Sequence, residues 1–207
     1  MNKYLIGIII LLLAINVFAI ANFLYYRKNV MAQLLMLEEE GKRVMPLEIN
    51  LRANMENNAR RIQDISGKNQ KGELKCLHDF FDSGMDKILV CRFSELDCES
   101  CIDFTIKTLL GKNVVIGKDN ILFVSTYKND VNFNRQKQLY GIQDYESLNI
   151  MDLGIPLEDY GYPYYFILDK SLQVLDVFVP SKSSQVMIQK YFDEIQEKHF
   201  SHSIYEN

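Results

Sequence analysis

The chain of 207 residues has no tryptophan, four prolines, four cysteines and three histidines. Four cysteines are too few to build a disulfide scaffold. The histidines His78, His199 and His202 form no cluster of imidazole ligands, and only one compact cysteine pair is present. Basic charge is also short: 23 Lys+Arg face 27 Asp+Glu, a formal net of −4. Lys3, Arg27 and Lys28 lie in residues 1–28 with no acid, so the remainder carries 20 basic and 27 acidic residues, a net of −7. A nucleic-acid-binding domain needs a basic footprint, and that class is excluded. No internal repeat or low-complexity tract is visible. With 48% apolar and 24% charged residues the chain is neither disordered nor wholly membrane-embedded.

One long apolar run is present. From Tyr4 to Tyr26 only Asn16 and Asn22 interrupt it, and no ionisable residue but the three tyrosines Tyr4, Tyr25 and Tyr26 occurs. As a helix it reaches about 34 Å, against a hydrocarbon core of about 30 Å. Tyr25, Tyr26, Arg27 and Lys28 then read as an interfacial edge. Residues 1–28 are therefore predicted to be an N-terminal transmembrane anchor. A cleaved signal peptide is the competing interpretation, because Ala19-Ile20-Ala21 has the small-x-small pattern. The run continues past that point through Phe23 and Leu24, which favours the anchor. A short N-terminal tail ordinarily stays in the cytosol, which places the chain in the inner (cytoplasmic) membrane as a single pass, with the rest exported.

Residues 29–73 read as a juxtamembrane stalk. Met31, Leu34, Leu35 and Leu37 have helical spacing, and Leu47, Ile49 and Leu51 alternate like a short strand after Pro46. Residues 74–200 carry the pattern of an α/β domain, followed by a polar tail over 201–207. Leu74–Phe81 reads as a short amphipathic helix. Lys87–Ser94, Ile121–Ser125 and Tyr164–Leu168 read as buried strands, and Val174–Val179 as a fourth strand closing a hairpin. Helices are expected over Cys101–Leu110, Val131–Tyr140 and from Ser183 or Ser184 to about His199. His199 and His202 are expected to be solvated. This alternation predicts an α/β sandwich with a central mixed sheet flanked by helices.

Cys98-Glu99-Ser100-Cys101 is the one motif whose spacing carries chemistry. It follows a predicted strand and opens a predicted helix. There the first thiol meets the positive end of the helix dipole and unpaired backbone N–H groups, which favour its thiolate. The second thiol lies one turn along, placed to attack a mixed disulfide. A structural disulfide or a metal-binding pair completed by Cys76, His78 or Cys91 is the alternative use of these thiols. Cys76 and Cys91 otherwise read as small core residues.

On this motif, on Pro163 just ahead of the strand Tyr164–Leu168, and on the closing hairpin and helix, the sequence resembles the thioredoxin-like superfamily, in particular its membrane-anchored TlpA/redoxin-type thiol–disulfide oxidoreductases. The resemblance covers about residues 74–200. It implies a thioredoxin-like sandwich, Cys98 as exposed nucleophile, Cys101 as buried resolving thiol, and a cis Pro163 that, with Tyr162, grips the substrate chain. It implies protein thiol and disulfide substrates, a membrane or envelope electron donor, and no bound cofactor. The sequence departs from the family in having Asp97 before the first cysteine, Glu99-Ser100 between the two, and Arg92 where the preceding strand often carries an acid or amide. A peroxidase pattern fails, since no suitable proline precedes Ser94 and Cys98.

Arg92, Asp97 and Glu99 are candidate tuning residues. The acids Glu95, Asp97 and Glu99 should oppose a Cys98 thiolate, with Arg92 offsetting part of this. A less stabilised thiolate makes the disulfide form relatively more stable, which predicts a reductant or isomerase rather than a strong oxidase. A non-catalytic thioredoxin-like binding module is the alternative from another functional class.

Overall fold

In the computed structural model, which describes residues 3–81 and 85–201 (without the side chains of 3–11, 14, 43, 113 and 114), the chain opens on one helix, α1 (Lys3–Asn57). The protein divides into two units, Met1–Met45 and Pro46–Asn207. In the first unit Leu13, Phe18, Phe23 and Leu34 are among the described apolar side chains that are more than half exposed. Among the described residues no helix is long and apolar enough to cross a membrane. Much of the run expected to do so, the side chains of 3–11 and 14, falls outside them.

The second unit begins earlier than residue 74. Residues 46–57 are helical through Pro46, and Leu47–Leu51, expected as a short strand, lie within that helix. The face this segment buries is Asn50, Ala53 and Asn57, at 7%, 0% and 0% exposure, while Leu47 and Leu51 point outward. The apolar alternation of Leu47, Ile49 and Leu51 therefore misled, because the helical period is carried by amides. Asn50 Nδ2 donates to Pro46 O at 2.8 Å, one helical turn back. The same amide donates to Val179 O at 2.9 Å, and Asn50 Oδ1 accepts from Val179 N at 2.8 Å. Asn54 Nδ2 donates to Val177 O at 2.7 Å.

The sheet is built from β1 (Ser66–Lys68), β2 (Leu74–Cys76), β3 (Lys87–Ser94), β4 (Ile121–Thr126), β5 (Glu146–Asn149), β6 (Tyr164–Asp169) and β7 (Val174–Phe178). Its order is β2-β1-β5-β4-β3-β6-β7. The central strands β5, β4 and β3 are parallel, and β6 and β7 add antiparallel on one side. The edge of β7 is closed by the Asn50 and Asn54 amides and by Ala59 N and Ile62 N, which donate to Val174 O at 2.7 Å and Leu172 O at 2.9 Å. An edge satisfied in this way offers no template for pairing with another chain.

Helices α2 (Glu99–Leu110), α3 (Asn113–Ile116), α4 (Asp130–Tyr140) and α5 (Gln185–Ile195) complete the unit, α5 running into one π-helical turn over Gln196–Phe200. Successive strand residues point to opposite faces, so β3 feeds two cores. Leu89, Cys91 and Phe93 pack with Ile102, Ile106 and Leu109 of α2 and with Ile188 and Phe192 of α5. Ile88 and Val90 pack on the other face with Ala53, Leu77 and Phe80. Burial on both faces explains why β3, β4 and β6 are nearly continuous apolar runs.

Two further expectations change. Leu74–Phe81 is strand β2 followed by a 3₁₀ turn over Leu77–Phe81, because β2 pairs with β1, and Asp79 Oδ2 accepts from Cys76 N at 2.8 Å to start the turn. Only glycine fits at Gly67 of β1, where a Cβ would stand 2.5 Å from Ile150 Cγ1. His199 is not solvated. Its side chain is 2% exposed, with Nδ1 accepting from Lys87 Nζ at 2.8 Å and Nε2 meeting Asp176 Oδ2 at 2.5 Å. His202 and the rest of the tail, 202–207, lie outside the described residues.

Candidate functional site

Strand β3 ends at Ser94, whose amide donates to Asp97 Oδ2 at 2.8 Å, while Asp97 N donates to Ser94 O at 3.0 Å. This tight reciprocal turn delivers Cys98 to the N-cap of α2. An N-cap side chain normally accepts from the amides two and three residues on, here Ser100 and Cys101. Cys98 closes no such cap bond, yet those amides act on its sulfur as partial positive charges. The Cys98 thiol is brought down to about 7, first by the Cys101 thiol, then by the Ser100 hydroxyl and those two amides. Cys98 Sγ stands 3.3 Å from Ser100 Oγ. Burial and the neighbouring Cys98 push the Cys101 thiol the other way, upward. The two sulfurs are thus separated in character: an exposed one that ionises near neutrality, and a half-buried one that holds its proton.

This corrects the expected suppression of the thiolate. Glu95, Asp97 and Glu99 are not among the groups that set the Cys98 sulfur. All four groups that lower it lie inside the pair and its helix start, within three residues. Arg92 does not reach Cys98 either. It sits on β3 with 3% of its side chain exposed, and its Nε and Nη2 donate to Glu158 at 2.5 and 3.0 Å. Nη2 also donates to Thr126 Oγ1 at 2.5 Å and Nη1 to Ile150 O at 3.1 Å. Asp97 shares a cleft with this pair. Burial raises its carboxyl, and the Ser94 amide and the Arg92 charge hold it down.

That cleft, about 370 Å³, lies at the C-terminal ends of β3 and β4 and reaches Asp97, the residue before Cys98 in the chain. Parallel α/β sheets bind their ligands at that end. Its walls include Asp97, Thr126, Asp152, Glu158, Asp159 and Tyr164. Leu96, Met151 and Tyr162 stand on it with 84%, 63% and 37% exposure. Tyr162 therefore shares this cleft with Asp97, the residue that precedes Cys98 in the chain. Pro163 is buried, but its peptide bond is trans, and no cis bond occurs among the described residues. The turn is made instead by Gly161, at φ +67°, which ends a 3₁₀ turn over Pro156–Tyr160 and lets the chain enter β6 through the ordinary trans bond.

Glu158 is the site residue that sequence reasoning missed. The available signal was Arg92 itself, since a cation inside an apolar strand must be paired with an acid. Cys91 is fully buried under α2, and burial raises its thiol far above the ordinary range. Cys76 is half-buried on β2, 3.1 Å from Ser66 Oγ. Among the described residues no group of three or more His, Cys, Asp and Glu is placed to hold a metal ion.

No family model and no curated protein matches the chain. Solved structures do. A Chlorobium tepidum protein assigned as the thiol:disulfide interchange protein DsbE aligns over 68% of this chain and 98% of its own, with TM-score 0.51 and 10% identity. The chain has a thioredoxin-like fold. Peroxidoxin BcpB from Mycobacterium tuberculosis aligns over 67% of this chain and 97% of its own, with TM-score 0.50 and 12% identity. A thiol:disulfide interchange protein from Bacteroides sp. covers 70% and 96%, with TM-score 0.49 and 18% identity. At these identities the likeness concerns the fold; the chemistry has to be argued from Cys98, Cys101 and their surroundings.

Proposed function

We propose that this protein is a thiol–disulfide oxidoreductase acting on protein partners through Cys98 and Cys101. The observation that carries the reading is the asymmetry of the pair: Cys98, exposed, ionises at about 7, while the Cys101 thiol is raised and half-buried. A thiolate is the attacking species in exchange. Cys98 attacks a partner disulfide, and Cys101 then attacks the mixed disulfide and releases the partner reduced. The cleft before Cys98, with Tyr162 and Leu96 at its rim, receives the partner segment that carries the disulfide.

The direction favoured is reduction. A first thiol at about 7 is only modestly activated, close to thioredoxin and far from the strong oxidant DsbA, whose thiol is near 3.5. Such a reductant is recharged by a dithiol donor in the membrane or envelope. Residues 1–28 hold it at the inner membrane with the redox domain exported, an assignment supported by the apolar run Tyr4–Tyr26 and by the exposure of its described side chains.

The test uses the full chain in detergent micelles. Wild type should catalyse reduction of a protein disulfide by dithiothreitol. Cys98→Ser should lose this, and Cys101→Ser should accumulate a mixed disulfide through Cys98. Undiminished activity in Cys98→Ser, or its absence in wild type, overturns the reading in favour of a binding module. A midpoint potential well below about −200 mV supports the reductive direction, and one near −120 mV reverses it.

A further inference from the structure

The resolving step needs a thiolate at Cys101, and the site provides little to make one. Burial and the Cys98 sulfur both raise that thiol. The surrounding sequence is acidic, with Glu95, Asp97, Glu99 and Asp103. Two cations near the pair in sequence are already committed. Arg92 is bound to Glu158 from the sheet face opposite α2, and Lys107 pairs with Asp103 at 2.9 Å.

Lys182 is not committed. It stands at the tip of the turn before α5, where Ser184 N donates to Ser181 O at 3.0 Å and the Ser181 and Ser183 hydroxyls meet at 2.9 Å. Among the described residues it pairs with no carboxylate. Its ammonium instead lies over the Phe104 ring, 5.9 Å from the centroid. Phe104 is three residues beyond Cys101 on α2, so the two side chains share one helix face. The charge is thereby held on the helix face that carries the resolving sulfur, and it acts on Cys101 in the direction opposite to burial.

We propose that Lys182 is the cation serving the resolving thiol, stabilising the Cys101 thiolate as it attacks the Cys98–partner disulfide. The proposal rests on the oxidoreductase reading given above. In this step Cys101 gives its proton to solvent and its sulfur attacks Cys98 Sγ. The bond between Cys98 and the partner sulfur breaks, and the partner leaves as a thiolate that takes up a proton. The Cys98–Cys101 disulfide forms, and the partner disulfide has been reduced by two electrons. Lys182 is a positioning residue here, since it lies over Phe104 and exchanges no atom with substrate.

Stopped-flow reaction of the reduced full chain with an equimolar aromatic disulfide, dithionitrobenzoate, separates the two sulfurs. A Cys76→Ser background removes a half-buried competitor. The first thionitrobenzoate released reports attack by Cys98, and the second reports displacement by Cys101. Both are followed from about pH 6 to about pH 10, which brackets ordinary thiol ionisation. Lys182→Ala is expected to leave the first phase and its midpoint unchanged, to move the second midpoint upward, and to slow that phase about two- to fivefold below it. Lys182→Glu should do so more strongly, Lys182→Arg should behave as wild type, and added salt should shrink the difference. An unmoved second midpoint in both Lys182→Ala and Lys182→Glu overturns the proposal, as does uniform slowing of both phases. Absence of a second phase in wild type instead defeats the oxidoreductase reading, and this proposal falls with it.

Discussion

Removing the Glu158 carboxylate should be the most damaging single change near the site, although Glu158 lies 66 residues from its partner in sequence and touches neither cysteine. The Arg92 guanidinium is 3% exposed and the Glu158 side chain 17%. Glu158 accepts from Arg92 twice, from Tyr164 Oη at 3.0 Å and from Leu153 N at 3.0 Å. Glu158→Ala strips a buried cation of its counter-ion and leaves two further donors without an acceptor. Breaking one half of a buried pair costs about 3–5 kcal/mol, the penalty of the orphaned charge more than the worth of the bond. For a unit of this size that lowers Tm by roughly 6–20 °C. The double replacement Arg92→Met with Glu158→Leu removes both charges and should recover most of the loss. Thermal and urea unfolding of the full chain in detergent, followed by far-UV circular dichroism, measures both. A Glu158→Ala variant within 1 kcal/mol of wild type, or a double variant no better than the single, refutes this account of the pair.

The remaining predictions concern the thiol, the sheet edge and a buried lysine. Alkylation of Cys98 by iodoacetamide should rise with pH to a half-maximum at about 7, and Ser100→Ala should move that midpoint upward; a midpoint at the ordinary 9.0 in wild type contradicts the site geometry. Asn50→Ala removes both bonds to Val179, so hydrogen exchange at the Val179 amide should accelerate and stability should fall by about 1–3 kcal/mol. Burial lowers the Lys137 ammonium from 10.5 to about 8, where it donates to Gln70 and Ser147. The unfolded chain then binds more protons between those values, so stability should rise with pH across about 8 to 10.5, by up to about 3 kcal/mol, and this rise should be missing in Lys137→Met.

What could be read from the sequence follows from how each element is held. β3, β4 and β6 are buried on both faces, so each shows as an apolar run, and α2 and α4 show through their spacing and their ends. The weak elements are held by neighbours. Ser66–Lys68 has no apolar side chain and exists because Gly67 fits against β5; Glu146–Asn149 is polar and is fixed by its parallel pairing with β4. Leu47–Leu51 were misread as a strand because the period of the buried helix face is written in asparagines, which score as loop formers. The cysteine pair was legible from spacing and placement. The cleft was not, since Glu158, Thr126 and Met151 meet Arg92 and Leu96 only through the sheet topology.

β3 does two separate things for the site, one from each face. Leu89, Cys91 and Phe93 lie under α2 and fix the helix whose first turn sets the Cys98 sulfur. Arg92, on the opposite face, fixes Glu158 and with it the wall of the cleft that Asp97 also lines. Where the resemblance would put a proton-handling acid, this chain therefore has a structural cation, and the activation of Cys98 depends on its own helix start. A consequence separates the two roles. The double replacement Arg92→Met with Glu158→Leu should leave the alkylation midpoint of Cys98 at about 7 while raising KM for a protein disulfide that must enter the cleft. A small aromatic disulfide that needs only the exposed sulfur should react as before. If the midpoint moves with the pair, the two faces are coupled, and Arg92 belongs to the machinery of the thiol after all.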